Sequence, residues 1–182
     1  MRDVNSVILS GTIFWSKLDD RQSYSTLRLG IKLASGGSCF AVVNNPLIKG
    51  HDMTKAGNKV TLNGYMDTWN KEDGTSELQI KCSGANADFY PKEKALSDYN
   101  HVVMCGRIES YQDDSAIIEM TGERNPKTDK PTNRKAKVKI GDSFEFEIAG
   151  SKIFLMGKIV STEIEGKSKI SIEGNYAQIS IL

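Results

Sequence analysis

The chain repeats itself. Asn5, Ser6, Val7, Ile8, Leu9, Ser10, Gly11 is echoed by Asn100, His101, Val102, Val103, Met104, Cys105, Gly106, and Lys59, Val60, Thr61, Leu62, Asn63, Gly64 by Lys152, Ile153, Phe154, Leu155, Met156, Gly157. The two echoes keep their order at offsets of 95 and 93 residues. Asp73 and Gly74 are matched in turn by Glu165 and Gly166, each pair leading into an alternating run: Leu78 and Ile80 in one copy, Ile170 and Ile172 in the other. A period this long exceeds that of stacked solenoid repeats, so each copy has to close a core of its own. With 182 residues in all, each copy has about 90, near the lower limit for an independent core. The predicted domains are 1–90 and 99–182, separated by a charged linker containing Pro91, Lys92, Glu93 and Lys94.

Alternation at period two dominates both copies, which predicts an all-β chain. In the first copy strands are expected at 5–15, 24–33, 38–44, 59–69 and 76–83, and residues 46–58 have room for only a short helix or an apolar-lined loop. Gly11, Gly64, Gly106 and Gly157 fall inside strands. Glycine weakens a strand unless a sharp bend or close approach requires it, and a small closed barrel requires such bends. The expected architecture is therefore two five-stranded barrels in tandem. The second copy departs from the first between its strands at 115–121 and 135–140, where 122–135 is predicted to be a long basic loop at the tip of a β-hairpin. From Gly122 to Lys139 seven basic residues face two acidic ones, although the whole chain carries only +1.

The opening from Asn5 to Gly11, the run Lys59, Val60, Thr61, Leu62, Asn63, Gly64, Tyr65, Met66, and then Thr68, Trp69, Asp73 and Gly74 together resemble the bacterial and phage single-stranded-DNA-binding proteins. In that family an Asn-x-Val-x-Leu-x-Gly opening and a Lys-Gly-x-x-Val-x-Leu-x-Gly-x-Leu fourth strand lead to a Trp-bearing hairpin with Asp-Gly at its tip. The resemblance spans most of 4–90 and, more weakly, 100–182. It implies two oligonucleotide-binding (OB) folds and binding of single-stranded DNA without sequence preference, in replication, recombination and repair. It also implies a soluble cytoplasmic setting, or the host's cytoplasm for a phage protein. Four barrels commonly assemble in the family, so a homodimer is one expected arrangement and a monomer with one continuous groove the other. The chain ends inside its expected closing strand without an acidic tail, the segment after Pro46 is short for the family's helix, and the second copy has no tryptophan. These departures point to a phage, plasmid or otherwise specialised member.

Binding a single strand without sequence preference needs aromatic faces for bases and cations for phosphates on one exposed surface. Strand parity turns Leu27, Leu29, Ile31 and Leu33 inward, which leaves Tyr24, Arg28 and Lys32 on the outer side. The same rule turns Val60, Leu62, Gly64 and Met66 inward and Tyr65, Asp67 and Trp69 outward. Trp15 ends the first strand, and either Phe40 or its neighbours Cys39 and Ala41 face outward on the third. In the second copy Lys135, Lys137 and Lys139 alternate with Ala136, Val138 and Ile140, so three lysines share a face. Like charges so placed repel unless something negative lies across them. Arg124, Lys127, Lys130 and Arg134 adjoin them, and Tyr111 is the second copy's candidate stacking residue together with Tyr99. The first barrel is thus expected to stack bases and the second to contribute mainly charge.

Little supports an enzyme. His51 and His101 are the only histidines and stand apart, and no phosphate-binding glycine loop, nucleophile motif or metal-ligand spacing occurs. Asp19 with Asp20 and Asp113 with Asp114 read as hairpin-turn residues. Cys39, Cys82 and Cys105 sit in separate apolar runs and read as reduced core thiols. No cofactor, metal, membrane or small-molecule substrate is expected. The alternatives to DNA binding are an OB protein-interaction or replication-restart accessory factor and an RNA-binding module.

Overall fold

The longest strand, β1 (Val4–Arg21), has three partners. It belongs to a computed structural model that describes residues 3–21, 24–47, 51–70, 76–112, 114–124, 128–140, 150–164, 167–174 and 180–181. The strands that follow are β2 (Tyr24–Lys32), β3 (Ser38–Asn44), β4 (Lys59–Asn70), β5 (Ser76–Ser83) and the short β6 (Ala87–Tyr90). Between β3 and β4 the described residues form one 3-10 turn, His51–Thr54, in keeping with the segment's limited length. The second copy supplies β7 (Asn100–Gln112), β8 (Ser115–Arg124), β9 (Pro131–Lys139), β10 (Lys152–Ile164), β11 (Lys167–Gly174) and β12 (Ser180–Ile181).

The pairings close on themselves twice. β1 pairs with β2, β2 with β3, β3 in parallel with β5, β5 with β4, and β4 returns to β1. The same circuit recurs as β7, β8, β9, β11, β10 and back to β7, with β9 and β11 parallel. Apolar residues point into each circuit: Leu9, Leu29, Leu62 and Ile80 are fully buried in one, and Met104, Ile118, Leu155 and Ile172 in the other. Cys39, Cys82 and Cys105 are buried and form no disulfide. Burial pushes the Cys39 thiol up to about 12 and the Cys82 thiol to about 11, so neither is nucleophilic at neutral pH.

β1 turns from one partner to another at Gly11. Its first half pairs with β4 as far as Thr12, and from Thr12 onward it pairs with β2. A side chain at Gly11 would meet Ile31 Cγ2 at 2.5 Å and the Lys32 carbonyl oxygen at 2.6 Å. Gly106 has the same role against the Glu119 carbonyl oxygen at 2.5 Å. These two glycines mark the corners expected of them.

The motif asparagine is explained by the same strand. β1 pairs with β7 as well as β4, and the β1–β4 ladder stops at Val7 opposite Gly64. Continued by two residues it would place Asn5 opposite Met66. There the side chain substitutes for the backbone: Asn5 Nδ2 donates to Met66 O at 2.7 Å, and Met66 N–H donates to Asn5 Oδ1 at 2.9 Å. Asn100 makes the equivalent pair of bonds with Ile159, both 2.8 Å.

The two circuits are joined by β1 and β7, which run antiparallel from Val4 opposite Cys105 to Leu9 opposite Asn100. The register is centred on Val7 opposite Val102, which are equivalent residues at the repeat offset. The junction is therefore two-fold symmetric about its midpoint. Asp3 reinforces it by accepting from Thr121 N–H at 2.8 Å and pairing with Lys152 Nζ at 2.9 Å. The linker is also held: Ser10 Oγ donates to Ser97 O at 2.5 Å and accepts from Tyr99 N–H at 2.9 Å.

Three expectations change. Asp19 and Asp20 lie within β1, opposite Thr26 and Ser25, because the strand continues to Arg21; they are not turn residues. The basic loop 122–135 is largely strand, since β8 runs to Arg124 and β9 begins at Pro131. Residues 87–90, where no strand was expected, pair with β4 as β6.

Two measurements test this architecture. Asn5→Leu removes two hydrogen bonds and leaves the Met66 N–H without its partner, an expected cost of about 2 kcal/mol in urea unfolding. The Asp3 carboxyl is pushed up by burial, but the Lys152 ammonium and the Thr121 N–H outweigh this and hold it below its ordinary 3.8. Its contribution should be complete above that value and lost as acid protonates the folded form. Asp3→Asn should therefore lower the melting temperature at pH 7 and converge with the parent chain near pH 2.

Candidate nucleic-acid interface

A β-bulge creates the outer aromatic surface. Along β1, Val7, Leu9 and Ile13 are buried at alternate positions, which would turn Trp15 inward. The β1–β2 register slips between Ile13 and Trp15. This inserts Phe14 as an extra residue and reverses the parity beyond it. Phe14 and Trp15 consequently both face outward, 46% and 42% exposed. Phe14, which faces outward by the same alternation, was not among the candidate residues named from the sequence.

Phe40 settles the parity of β3: it is exposed, while Cys39 and Ala41 are buried. Trp15 lies opposite Gly30 on β2, and Gly30 opposite Phe40 on β3. The Phe40 ring meets Trp15 edge-on at 6.5 Å and Phe14 at 6.3 Å. Phe14 rests on Gly30, where an added methyl would stand 2.5 Å from Phe14 Cζ. Three exposed rings therefore share one patch, with glycine as its floor.

Cations flank the patch. Arg28 and Lys32 are exposed on either side of Gly30 along β2, and Lys17 lies directly opposite Arg28. None of the three makes an ion pair with a described residue. The cross-strand register then runs from Arg28 to Val42, Lys81 and Tyr65, crossing β2, β3, β5 and β4. A belt of outward residues thus follows the circuit from Lys17 to Tyr65.

At the far end of that belt the two circuits meet. The Arg134 guanidinium lies over the Tyr65 ring, 4.1 Å from its centroid, and Nε is 3.6 Å from Asp67 Oδ1. Asp67 Oδ2 is 2.5 Å from Lys81 Nζ. Tyr65 and Arg134, both candidates from sequence, are thus stacked on each other and only partly exposed.

The lysine row has acids of its own. Lys135 pairs with Glu109, which raises the pKa of the Lys135 ammonium. Lys139 pairs with Asp114 at 3.0 Å; that ammonium and the Ser115 hydroxyl hold the Asp114 carboxyl below its usual range. Lys137 is exposed and without an ion pair among the described residues. Lys130 is exposed beside β9.

Tyr111 is half-buried against the core. β7 carries the same bulge as β1, between Ile108 and Ser110, and the reversed parity turns Tyr111 inward. Glu109 and Ser110 occupy the positions equivalent to Phe14 and Trp15, so no aromatic patch forms there. Tyr99 is exposed at the end of the linker. The side chains of Tyr24, Trp69 and Arg124, and all of Lys127, lie outside the described residues. Among the described residues no three His, Cys, Asp or Glu gather to hold a metal ion, and no helix is long and apolar enough to cross a membrane.

Gly30→Ala tests the patch by itself. The added methyl should displace the exposed Phe14 ring and alter the near-ultraviolet circular dichroism of the coupled rings. Stability should change by less than about 1 kcal/mol, since the colliding atoms are the tip of a mobile side chain.

No protein-family model matches the chain, and no curated protein matches it in sequence. Among solved structures it is similar to the wild-type single-stranded DNA binding protein from Thermus aquaticus, with a TM-score of 0.68 and 15% identity. That similarity covers 100% of this chain and 94% of the other. A deletion mutant of the same Thermus aquaticus protein is similar at a TM-score of 0.66 and 14% identity, over 100% and 95% of the two chains. At such identities what is shared is the fold.

Proposed function

We propose that the chain binds single-stranded DNA without sequence preference and without chemistry, protecting unpaired strands during replication, recombination or repair. Each pairing circuit is read as an OB barrel, giving domains at 1–90 and 99–182. The observation that carries the function is the belt on the first circuit, where Phe14, Trp15 and Phe40 lie exposed beside Lys17, Arg28 and Lys32. Exposed rings clustered on a strand face have no packing role to explain them, and opposed like charges such as Lys17 and Arg28 destabilise a sheet unless an anion joins them. Bases on the rings and phosphates on the cations answer both.

The division of labour follows from the bulges. The first barrel stacks bases at Phe14, Trp15 and Phe40, whereas the second, with Glu109 and Ser110 at the matching positions, contributes Lys130 and Lys137 as charge. Tyr24, Trp69, Arg124 and Lys127 extend the surface in this reading. The likeness to the Thermus aquaticus single-stranded DNA binding protein supports it. Self-association as a homodimer fits the outer face of β1 and β10, where Ile8 and Met156 are 39% and 38% exposed.

Titration with oligothymidylate should quench tryptophan emission and lose affinity steeply with salt. Phe40→Ala and Trp15→Ala should each cost about 1 to 3 kcal/mol of binding, with little effect on melting temperature. Arg28→Gln should lower the slope of log K against log salt by about 0.7. Absence of quenching and of gel retardation would refute the reading, and tighter binding of oligouridylate would reassign it to RNA.

A further inference from the structure

We propose that Asp67 occupies a phosphate subsite at the junction of the two circuits, and that an incoming strand displaces it from Lys81 and Arg134 and exposes the Tyr65 ring to a base. This rests on the proposed binding of single strands and extends it to a site that is closed in the unliganded chain.

Register places the site on the path of the belt. One row runs Lys17, Arg28, Val42, Lys81, Tyr65 across successive strands. The adjacent row runs Trp15, Gly30, Phe40. Since Ala41 pairs with Ile80, Phe40 falls level with Gln79, and Gln79 pairs with Asp67. The aromatic row therefore arrives at Asp67, and the cationic row arrives at Tyr65 beside it.

The parts found there are those a nucleotide needs. Lys81 Nζ and Arg134 Nε converge on one carboxylate at 2.5 and 3.6 Å, and an aromatic face lies next to them with the guanidinium stacked on it at 4.1 Å. A carboxylate held between two cations presents the same charge and the same acceptor oxygens as a phosphate group. The Asp67 and Arg134 side chains are each 18% exposed, so the pair is reachable from solvent and can exchange. Arg134 comes from β9 and the other three from the first circuit, so opening the site also frees the second circuit's cation for the strand.

The expected energetics are modest and have a definite sign. Partly exposed ion pairs hold their partners by about 0.2 to 1 kcal/mol. Removing the internal anion should thus tighten binding by a factor of roughly 1.4 to 5 at low salt.

Asp67→Asn, which preserves shape, tests the proposal with two oligothymidylates. One of about 4 nucleotides can cover only the aromatic patch, and one of about 16 can reach the junction. The longer oligomer should bind Asp67→Asn more tightly than the parent, with the salt slope steeper by about 0.7, and the shorter should bind both alike. Arg134→Gln should weaken only the longer oligomer and flatten its slope. Unchanged or weaker binding of the longer oligomer by Asp67→Asn, with an unchanged slope and a lowered melting temperature, would make Asp67 a structural strut and overturn the proposal. Failure of the parent chain to bind either oligomer would instead remove the function on which it rests.

Discussion

β1 has more partners than a strand has edges. Its first half gives one edge to β4 and the other to β7, and its second half pairs with β2. β2 and β4 stand at the two ends of one closed circuit, so the strand that pairs with both must turn a corner between them. Gly11 supplies the corner, because the space of its missing side chain is filled by Ile31 and Lys32 of β2. The bulge at Phe14 supplies the change of parity. The exposure of Trp15 follows from that change, since without it Trp15 would be core.

Much of the architecture was legible from the sequence. Period two marked the strands of the first copy to within a residue or so, except that β1 runs six residues past its expected end, and the repeat located their counterparts. The intra-strand glycines and the motif asparagine were visible as residues, but the reason for the asparagine was not. Its side chain extends the β1–β4 pairing past Val7, where the backbone ladder stops, and no local pattern announces where that ladder will end. The bulges escaped for a related reason. One extra residue leaves composition unchanged and reverses every inference about facing beyond it, which is why Tyr111 was expected outside.

Electrostatics was the least legible part. A local excess of lysines around β9 looked like the strongest footprint, yet two of its charges, Lys135 and Lys139, are matched by Glu109 from the bulge in β7 and Asp114 from the turn before β8. Counting charge along a segment ignores acids that the fold brings in from neighbouring strands. Lys17 and Arg28 raise no local excess, being separated by the hairpin that joins β1 to β2. Pairing sets them opposite each other, so a weaker signal in sequence becomes the stronger one in space.

The symmetry of the junction shows what covalent duplication permits. Val7 faces its own equivalent, Val102, as residues on a two-fold axis do when separate identical subunits pair. Two identical subunits must present the same outer surface twice. Here the pairing that holds the halves together keeps its symmetry, while the bulge that shapes the outer surface carries Phe14 and Trp15 in one half and Glu109 and Ser110 in the other. The backbone device is retained and its side chains are free to differ. A single chain can thus stay symmetric where its stability is decided and become asymmetric where it meets solvent.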